Sequence, residues 1–577
     1  MSRQFLRREP AVGQLPPDLH PVLARLYAAR HVFHGEELDQ SLERLLPPDG
    51  LKGMAQAAAL LADALCKGRR LLIVADFDAD GATSCALAMR ALRAMGAQEV
   101  HYVVPNRFEY GYGLTPEIVA VAAQWRPELL ITVDNGISSV EGVRAAQRAG
   151  MQVLITDHHL PGAELPPADA IVNPNQPGDG FASKMLAGVG VIFYVMLALR
   201  AQLRARGWFA QQGIAEPNLA RLLDLVALGT VADVVPLDHN NRILVAQGLK
   251  RINQGQSSAG IRALLNVAGR RPGRLGAADL GFAVAPRLNA AGRLTDMSLG
   301  IECLLTDDEG RAEEIARQLD SLNRERRDIE SGMQAQALEA IDRLHLDGVL
   351  PHGLCLFDES WHQGVIGILA ARIRERVHRP VIAFAPASDA ELKGSARSVP
   401  GLHIRDALDA VAARHPGLVT KFGGHAMAAG LTLPRAHLEA FRVAFAAEAA
   451  QHLSDDDLAG RVITDGELAG EELTLELAQL LRDAGPWGQG FPEPLFDGVF
   501  EVAEQRVVGE RHLKLRLSTG GRAVEAIAFG QVPAGNLPAW KRVRAAYRLD
   551  VNEFQGRRGL QLVIEYLEGI GDGQPVI

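Results

Sequence analysis

Three carboxylates follow a short apolar segment near the start of the chain. Residues 71–75 read LLIVA, and Asp76, Asp78 and Asp80 come directly after them, ahead of Gly81. Carboxylates on alternate residues repel one another, and no basic residue lies in this segment to neutralise them. A single Asp after a strand is usually a turn or helix cap, but one cap needs only one carboxylate. The pattern therefore favours a divalent cation.

The same residue types recur after later apolar segments. Asp134 ends ITVD, the triplet Asp157-His158-His159 ends LITDHH, and LLDLVALGTVAD offers Asp233, with Asp224 as a less favoured candidate. Ligands of parallel sheets bind beyond the carboxyl ends of the strands, so these side chains are expected to converge. Carboxylate oxygen and imidazole suit Mn²⁺ or Mg²⁺. Two ions sharing one Asp would form a clamp for attack on a phosphorus centre.

The elements that must position these residues alternate between helix and strand from Ala55 onward. This alternation predicts a mostly parallel sheet with helices on both faces, and Ser138 and Ser139 are placed to cap the helix that ends at Gly150. A charge-rich helical stretch follows, read either as a spacer between domains or as an ordinary solvated helix face. A second α/β unit and five short alternating runs, typical of a small antiparallel barrel, complete the chain. The expected segments are a partly irregular arm (1–50), a parallel-sheet domain (51–308), a connecting helix (309–347), a second α/β domain (348–455) and a barrel (456–577).

Composition limits the class of protein. The 577 residues are too many for one core, and 47% hydrophobic with 22% charged residues is ordinary for a globular protein. The net charge of −9 argues against a protein that coats nucleic acid but not against a nuclease, because metal-binding carboxylates contribute to it. Four scattered cysteines fit a reducing compartment. With neither an apolar run of membrane length nor a signal-peptide core in view, the expectation is a cytoplasmic protein with no membrane partner.

Three segments carry residues suited to phosphate. Arginine forms paired hydrogen bonds with phosphate oxygens, and small residues allow backbone N–H groups to approach closely. The candidates are Arg287, Asn289 and Arg293 in one segment, Ser395 and Arg397 in GSARS, and Gly423, Gly424 and His425 in FGGH. Each segment also has a plain structural interpretation: a helix end, an edge strand or a tight turn.

DFDADG, VDNG, TDHH and GTVADVVPL together resemble the four successive motifs of the DHH phosphoesterase superfamily. KFGGHAMAAGLTL resembles the signature of its associated DHHA1 domain. Carried over by position, the resemblance implies metal ligands, with Asp76 beside or within the first shell: Asp76, Asp78, Asp80, Asp134, His158 and Asp233. It implies that His159 faces the scissile phosphate or completes a metal shell, and that Asp157 orients its neighbours. Asp134, Asp157 and His159 are thus the expected catalytic group.

The full-length organisation resembles the single-strand-specific 5′→3′ DNA exonucleases of that superfamily. This implies two Mn²⁺ or Mg²⁺ ions, release of 5′-mononucleotides, and a role in recombination and repair. It also implies an OB-like barrel and a 5′-phosphate grip made by Arg287 or Arg293 with Ser395 and Arg397. The expected partners are single-stranded DNA, a single-strand-binding protein and repair helicases, with the chain itself a monomer.

Two other functions stay open at this point. The chain could be a DHH phosphodiesterase for short oligonucleotides, cyclic dinucleotides or pyrophosphate, although the extra barrel argues for a polymer substrate. It could also be a non-catalytic single-strand-binding scaffold, although the complete set of ligand-type residues argues against that.

Overall fold

The computed structural model describes residues 3–11, 13–106, 110, 112–346, 350–509, 512–532, 540–554 and 557–571. Its amino-terminal segment contains strand β1 (Gln4–Arg7) and helix α1 (Pro21–Ala28). This segment was expected to be a partly irregular arm, and short 3-10 turns do occupy much of it after Gly35. The ends of the segment, however, are firmly attached to the rest of the chain, as described below.

The first α/β unit contains one five-stranded sheet in the order β3-β2-β4-β5-β6, with every pair parallel. Its elements are α2 (Met54–Cys66), β2 (Leu71–Ala75), α3 (Ala79–Ala94), β3 (Val100–Val103), α4 (Pro116–Ala122), β4 (Leu129–Val133), α5 (Val140–Arg148), β5 (Gln152–Thr156) and β6 (Ala170–Val172). Strands β2 and β4 are wholly buried, as expected for a parallel sheet covered by helices on both faces.

One helix start differs from the expectation. Ser139 is the N-cap residue of α5, but its hydroxyl makes no capping hydrogen bond. The Ser139 Oγ instead accepts the backbone N–H of Leu114 from the loop before α4. The side chain therefore ties two loops together, a long-range contact that local sequence rules do not reveal.

A helical region follows the sheet. Its elements are α6 (Gly188–Ala205), α7 (Trp208–Gln212), α8 (Leu223–Ala232), α9 (His239–Asn253), α10 (Ala259–Val267), α11 (Ala277–Asp279), a π-helical turn (Leu280–Val284), α12 (Ala285–Leu294) and α13 (Ser298–Leu305). By length and hydropathy α6 could span a membrane, which corrects the expectation that no such run exists. Most of α6 is buried in the domain core, where its apolar residues pack against α2, α3 and α8.

Helix α14 (Glu309–Leu346) belongs to two hydrophobic cores. Near its start, Ala312, Ile315 and Leu319 are fully buried with the first domain. Farther along, Met333 and Ala337 pack into the core of the second α/β unit. Between these two cores Arg324, Glu325, Arg327 and Asp328 are exposed, although Arg326 is buried and ion-paired with Glu330. The stretch is therefore both a spacer between domains and a helix with a solvated face.

The second α/β unit has a mixed sheet in the order β10-β11-β9-β8-β7, in which β7 and β8 are the parallel pair. Its elements, with the short helix and strand that follow, are β7 (Leu354–Phe357), α15 (Ile366–Val377), β8 (Val381–Pro386), β9 (Glu391–Arg397), α16 (Ile404–Arg414), β10 (Lys421–Gly424), β11 (Ala428–Pro434), α17 (Leu438–His452), α18 (Asp455–Leu458) and β12 (Arg461–Thr464).

The carboxyl-terminal part is a closed barrel in the order β13-β14-β15-β17-β16. After α19 (Leu475–Asp483), its strands are β13 (Phe496–Val508), β14 (His512–Thr519), β15 (Arg522–Ala528), β16 (Arg542–Phe554) and β17 (Arg557–Gly569). The amino-terminal segment is attached here, because β1 pairs in parallel with β12. Arg30 and Asp465, both buried, reinforce this junction with a two-pronged ion pair at 2.9 Å.

Candidate metal centre and active site

Strand β2 ends at the first group of carboxylates. Asp76 is buried, and its Oδ1 accepts the N–H of Phe77. Asp78 is the N-cap of α3, where its Oδ1 accepts the N–H groups of Asp80 and Gly81 at 2.9 and 3.0 Å. The Asp78 carboxylate thus caps the helix, as is usual for an Asp after a strand. A cap does not explain the carboxylates of Asp76 and Asp80.

Asp80 is held by the start of helix α6. Its two carboxylate oxygens accept the backbone N–H groups of Gly188 at 2.6 Å and Val189 at 3.0 Å, and the side chain is fully buried. Helix N-termini stabilise negative charge, so α6 keeps this carboxylate fixed at the carboxyl edge of the sheet. Gly188 is required for the approach, because a Cβ at this position would lie 2.6 Å from Asp134 Oδ1.

Asp134, at the end of β4, faces His158, at the end of β5. The His158 Nε2 lies 3.1 Å from Asp134 Oδ1, 3.4 Å from Asp233 Oδ2 and 4.0 Å from Asp80 Oδ2. Both Asp134 Oδ1 and His158 Nε2 are buried and have no hydrogen-bond partner among the described residues. Asp233 comes from the carboxyl end of helix α8 rather than from a strand. Four elements therefore converge on one small volume.

Asp157 uses its carboxylate to hold the other two residues of its triplet. Oδ1 accepts the N–H groups of His158 and His159 and lies 2.7 Å from His159 Nδ1, while Oδ2 accepts the N–H of Ile137. With its oxygens committed to these partners, Asp157 orients the histidines. His159 is the more exposed of the two rings, at 31% of its side chain against 11%.

Burial dominates the electrostatics of this cluster. It raises the pKa of Asp80 to about 7, aided by the charge of Asp78, and it raises the pKa values of Asp134 and Asp233 well above the usual range. Burial also lowers the pKa of His158 to about 4, which keeps the imidazole neutral and able to act as a ligand.

His159 behaves in the opposite way. Burial opposes its protonation, but the hydrogen bond to Asp157 and that carboxylate's charge outweigh burial and raise the pKa of His159 to about 9. At neutral pH this ring is therefore a cation at the open side of the cluster. The two neighbouring histidines differ because only His159 is hydrogen-bonded to Asp157 through its ring.

Candidate ligand atoms form three overlapping groups, each within 4.8 Å. The groups are Asp76, Asp78 and Asp134; Asp80, His158 and Asp233; and Asp134, His158 and His159. Asp134 is shared by two of them, as a bridging ligand requires. Asp224, the less favoured candidate, is absent from these groups: its oxygens accept the N–H groups of Leu225 and Ser258 at the other end of α8.

The predicted phosphate-binding residues of the second α/β unit lie together on its sheet. Ser395 pairs in register with Gly430 of β11, and Gly430 pairs with Gly423 of β10. The glycines leave the surface beside the Ser395 hydroxyl uncovered by side chains. His425 donates its N–H to the carbonyl of Ala428, which is the partner of Arg397 across the ladder. Gly424 has a φ of 147°, a value that favours glycine.

Arg397 also lies against the first turn of helix α15. A Cβ on Gly367 would be 3.0 Å from Ser395 Oγ and 3.1 Å from Arg397 Nη2. Burial, followed by the charge of Arg374, lowers the pKa of Arg397. A helix start, a hydroxyl and a guanidinium that lacks a carboxylate partner among the described residues form a surface suited to a phosphate group.

The two α/β units meet beside the cluster. Arg293, at the end of α12, donates from Nη1 to the carbonyl of Gly364, just ahead of α15, at 3.2 Å. The pKa of His425 is lowered by burial and next by the positive charge of His159, which places the two rings within electrostatic reach of each other. The predicted phosphate-binding surface therefore lies near the acidic cluster.

Family models match three parts of the chain. The DHH family N-terminal domain matches residues 70–230, the DHHA1 domain residues 350–451 and the RecJ OB domain residues 464–566. The single-stranded-DNA-specific exonuclease RecJ of Dickeya dadantii is 56% identical over 98% of this chain and 99% of its own length. The chain belongs to the RecJ family. RecJ of Escherichia coli is 53% identical over 97% of this chain and 98% of its own length.

RecJ structures from Thermus thermophilus have been solved with Mn²⁺ and with Mg²⁺. The Mn²⁺ complex has a TM-score of 0.79 and 32% identity, covering 98% of this chain and 80% of that one. The Mg²⁺ complex has a TM-score of 0.74 and 30% identity, covering 99% and 79%. The superfamily, the three-part fold and the metal class expected from the sequence are thereby confirmed.

The donor set of this chain fits the ions of its RecJ relatives. Asp134 Oδ1 and His158 Nε2 are buried, face each other and lack a partner among the described residues, so a cation would satisfy both. Asp80 and Asp233 lie on the same side, and their mutual repulsion would be relieved by positive charge. Carboxylates with one neutral imidazole are a hard donor set that suits Mn²⁺ and Mg²⁺.

Two residues predicted to bind the strand have other partners. Arg287 is buried, and its Nε and Nη2 contact the Asp320 carboxylate of α14 at 2.9 and 2.8 Å. Asn289 Oδ1 accepts the N–H of Ala79 at 2.8 Å, which supports the loop that carries Asp78. Arg287 and the Asn289 Oδ1 therefore have partners within the protein, and contact of either residue with a DNA strand stays a prediction.

Several positioning residues of this RecJ site were missed in the sequence. Asn173 and Asn175 donate from Nδ2 to the carbonyl oxygens of His159 and His158, at 2.9 and 2.6 Å. The Tyr112 hydroxyl lies 3.1 Å from His159 Nδ1 and 3.3 Å from its Nε2. The only sequence signal was the asparagine pair in VNPN after an apolar run, and its contacts depend on how β6 packs beside β5.

Proposed function

We infer that this chain hydrolyses single-stranded DNA from its 5′ end, releasing 5′-mononucleotides. The observation that carries this inference is the facing pair of buried, unpartnered atoms, Asp134 Oδ1 and His158 Nε2, within a cluster of carboxylates. Relatives that match nearly the whole chain are named single-stranded-DNA-specific exonucleases. The extra barrel and second domain support a polymer as substrate.

Asp76, Asp78, Asp80, Asp134, His158 and Asp233 would hold two divalent cations, with Asp134 shared. When bound, such ions lower the pKa of an attacking water and stabilise the leaving oxygen. The protein's own contribution is rigidity: α6 fixes Asp80, Asp157 fixes both histidines, and Asn289 supports the Asp78 loop. Preorganised groups of this kind avoid reorganisation during the reaction.

His159 would act on the substrate rather than on the ions. Its protonated ring, held by Asp157, can donate a hydrogen bond to a non-bridging oxygen of the scissile phosphate and offset its negative charge. The Tyr112 hydroxyl beside the ring would limit its rotation. His159 is thus proposed as a catalytic residue and Asp157 as the residue that positions it.

The 5′→3′ direction would follow from an end-recognition site across the cleft. Ser395, Arg397 and the first turn of α15 form a surface for a terminal phosphate, and Gly423, Gly424 and His425 lie on the same sheet. A strand whose 5′ phosphate sits here would present its first phosphodiester to the acidic cluster. Since Arg287 is engaged with Asp320, Arg293 is the arginine of α12 proposed to assist.

The barrel would extend the grip on the strand. OB folds hold single strands by a basic groove and stacked aromatic residues. Two basic residues on its surface, Lys514 and Arg516, are paired with Glu525 and Glu504, so DNA would have to compete with these contacts. The proposal also includes a monomeric state and a cytoplasmic location. Its further partners would be a single-strand-binding protein and repair helicases.

The decisive experiment is digestion of long DNA labelled at either end, single- or double-stranded, with Mn²⁺, Mg²⁺ or EDTA. Labelled mononucleotide should appear first from the 5′ label, on single strands, and only with metal. A parallel reaction with dinucleotides serves as the control for a short-substrate phosphodiesterase. Faster hydrolysis of dinucleotides than of long strands, or early release from the 3′ label, would contradict the proposal.

A further inference from the structure

A cavity of about 840 Å³ lies apart from the acidic cluster, at the far ends of two helices that build it. Helix α3 carries Asp80 in its first turn and lines the cavity with Arg90. Helix α8 begins with Asp224 in the cavity wall and is followed at its other end by Asp233. At 1.5 Å per residue, Asp80 and Arg90 on α3, and Asp224 and Asp233 on α8, are separated by roughly 13–15 Å along their helices. The cavity is therefore a separate site.

Polar groups without partners line this cavity. Ser257 is 5% exposed, and its Oγ has no hydrogen-bond partner among the described residues. The same holds for Ser258 Oγ and for Nε of Arg251. Buried hydroxyl and guanidinium groups normally have partners, because leaving them unpaired costs stability. The Ser257 hydroxyl, which is the most buried of these groups, and the Arg251 Nε are therefore available to a ligand in the cavity.

The start of helix α10 (Ala259–Val267) opens beside these groups. Ser258 is its N-cap residue, but the Ser258 side chain does not cap the helix. The first turn is buried, with Ala259 3% exposed and Ile261 fully buried. A buried helix start without a side-chain cap is unusual, and its N–H groups and dipole favour an anion.

The charges facing the cavity are positive on balance. Arg90 is committed to Asp307 and to the carbonyl of Leu304, so it adds no available charge. Arg251 makes one long hydrogen bond to the carbonyl of Gln256.

Arg221 also lines the cavity, and its guanidinium makes no hydrogen bond or ion pair with any residue that the structure describes. The opposing carboxylate is Asp224, whose oxygens accept the N–H groups of Leu225 and Ser258. The other lining carboxylate, Asp307, is paired with Arg90, so Arg221 and Arg251 are left facing Asp224.

We propose that this cavity binds a small phosphorylated molecule through its phosphate group, held by Ser257, Ser258 and Arg251, with Arg221 at the rim. The volume is within the range of small-ligand sites and accommodates a mononucleotide. Inorganic phosphate shares the recognised group. The inference does not depend on nuclease activity, since no residue of the acidic cluster takes part.

The test is calorimetric titration of the full chain in EDTA with inorganic phosphate and, separately, with dAMP. Because a phosphate could also bind beside Ser395, the titrations are repeated with Arg397→Ala. One saturable site should persist in Arg397→Ala and weaken about tenfold in Arg251→Gln and in Arg221→Gln, as expected for loss of a charge-assisted contact. Unchanged thermal unfolding of Arg221→Gln, a rim substitution, shows that the loss is not misfolding.

The two probes separate the possible ligands. Tighter binding of dAMP than of phosphate would identify a nucleotide site, and equal binding would identify a site for the oxyanion alone; both support the inference. Two results would overturn it: binding abolished by Arg397→Ala but unaffected by Arg251→Gln, or no saturable binding up to about 10 mM of either probe.

Discussion

The carboxylate of Asp80 accepts the backbone N–H of Gly188 at 2.6 Å. This hydrogen bond joins the acidic segment that follows β2 to the start of helix α6. The same glycine leaves space for Asp134, since a Cβ there would lie 2.6 Å from the Asp134 carboxylate. One backbone position thus sets the separation between two proposed metal ligands, which leads to the first prediction.

Gly188→Ala should keep the fold but lower the cleavage rate by about two orders of magnitude, because displacements near 1 Å in an active site cost about that much. The measurement is the initial rate on single-stranded DNA at saturating Mn²⁺. Gly190→Ala, two residues along the same helix, is the matched control, since the nearest atom to its new Cβ would be the flexible end of the Leu186 side chain at 3.1 Å. Equal rates for the two variants would refute the assignment.

Asp134→Asn should abolish cleavage while leaving DNA binding nearly intact. Asp134 belongs to two of the three ligand groups, so replacing it disrupts both proposed ion positions, whereas the proposed strand contacts lie on the second domain. Fluorescence anisotropy with labelled single strands measures DNA binding. A Mn²⁺ titration monitored by electron paramagnetic resonance measures how much metal the protein binds. Full metal occupancy with lost DNA binding would reverse the assignment.

The Asp157–His159 pair should make stability depend on pH in a definite direction. The pKa of His159 is raised from 6.5 to about 9 and that of Asp157 is lowered from 3.8. The His159 contribution is therefore complete below about pH 6.5 and is lost as pH rises through 9, while the Asp157 contribution is lost only in acid.

Asp157→Asn in EDTA should show the largest deficit in Tm between about pH 4 and 6.5. The deficit should narrow toward pH 9–10, where His159 is neutral in both proteins. A deficit that grows with rising pH would show that His159 is not protonated in the folded state.

Arg397→Ala should weaken binding to 5′-phosphorylated single strands and remove the preference over 5′-hydroxyl strands. Loss of one phosphate contact should also reduce the slope of log K against log salt by about 0.7, the value for single strands. Arg442→Ala is the control, because Arg442 is paired with Glu439 on the surface of α17. An unchanged salt dependence would place Arg397 outside the strand path.

Arg287→Ala should destabilise the fold, because it leaves the partly buried Asp320 carboxylate with only the exposed Arg324 as an ion-pair partner. Removing one member of a buried pair costs up to about 3–5 kcal/mol, and less where water reaches the site. The double variant Arg287→Ala/Asp320→Asn should recover part of the loss in chemical denaturation. Unaltered stability with weakened DNA binding would instead restore Arg287 as a strand contact.

The acidic cluster was predictable because local sequence patterns identify most of its residues. In parallel sheets the strand ends share one edge, so Asp76, Asp80, Asp134 and His158 could be brought together from their positions after apolar runs alone. Asp233 was reached by the same reasoning, although it follows a helix. The barrel was equally accessible, since period-two alternation between Gly-bounded turns identifies short strands.

The support of the cluster was not predictable, because it depends on contacts between distant segments. Asn175 reaches the carbonyl of His158 only because β6 lies beside β5, and Arg287 meets Asp320 only because α12 packs against α14. The prediction that Ser139 caps α5 was wrong for a similar reason, because its hydroxyl accepts a hydrogen bond from the backbone N–H of the distant Leu114. Local patterns identify the reactive groups, whereas tertiary packing selects which polar side chains remain available for substrate.

The pairing of β1 with β12 has a consequence for biosynthesis. Residues Gln4–Arg7 are synthesised well before their partner Arg461–Thr464, which follows more than 450 residues later in the chain. At about 5–20 residues per second, the strand waits roughly half a minute to a minute and a half for its partner. Strand β12 is made only after both α/β units have been synthesised, so the pairing of β1 with β12 is a late step in maturation.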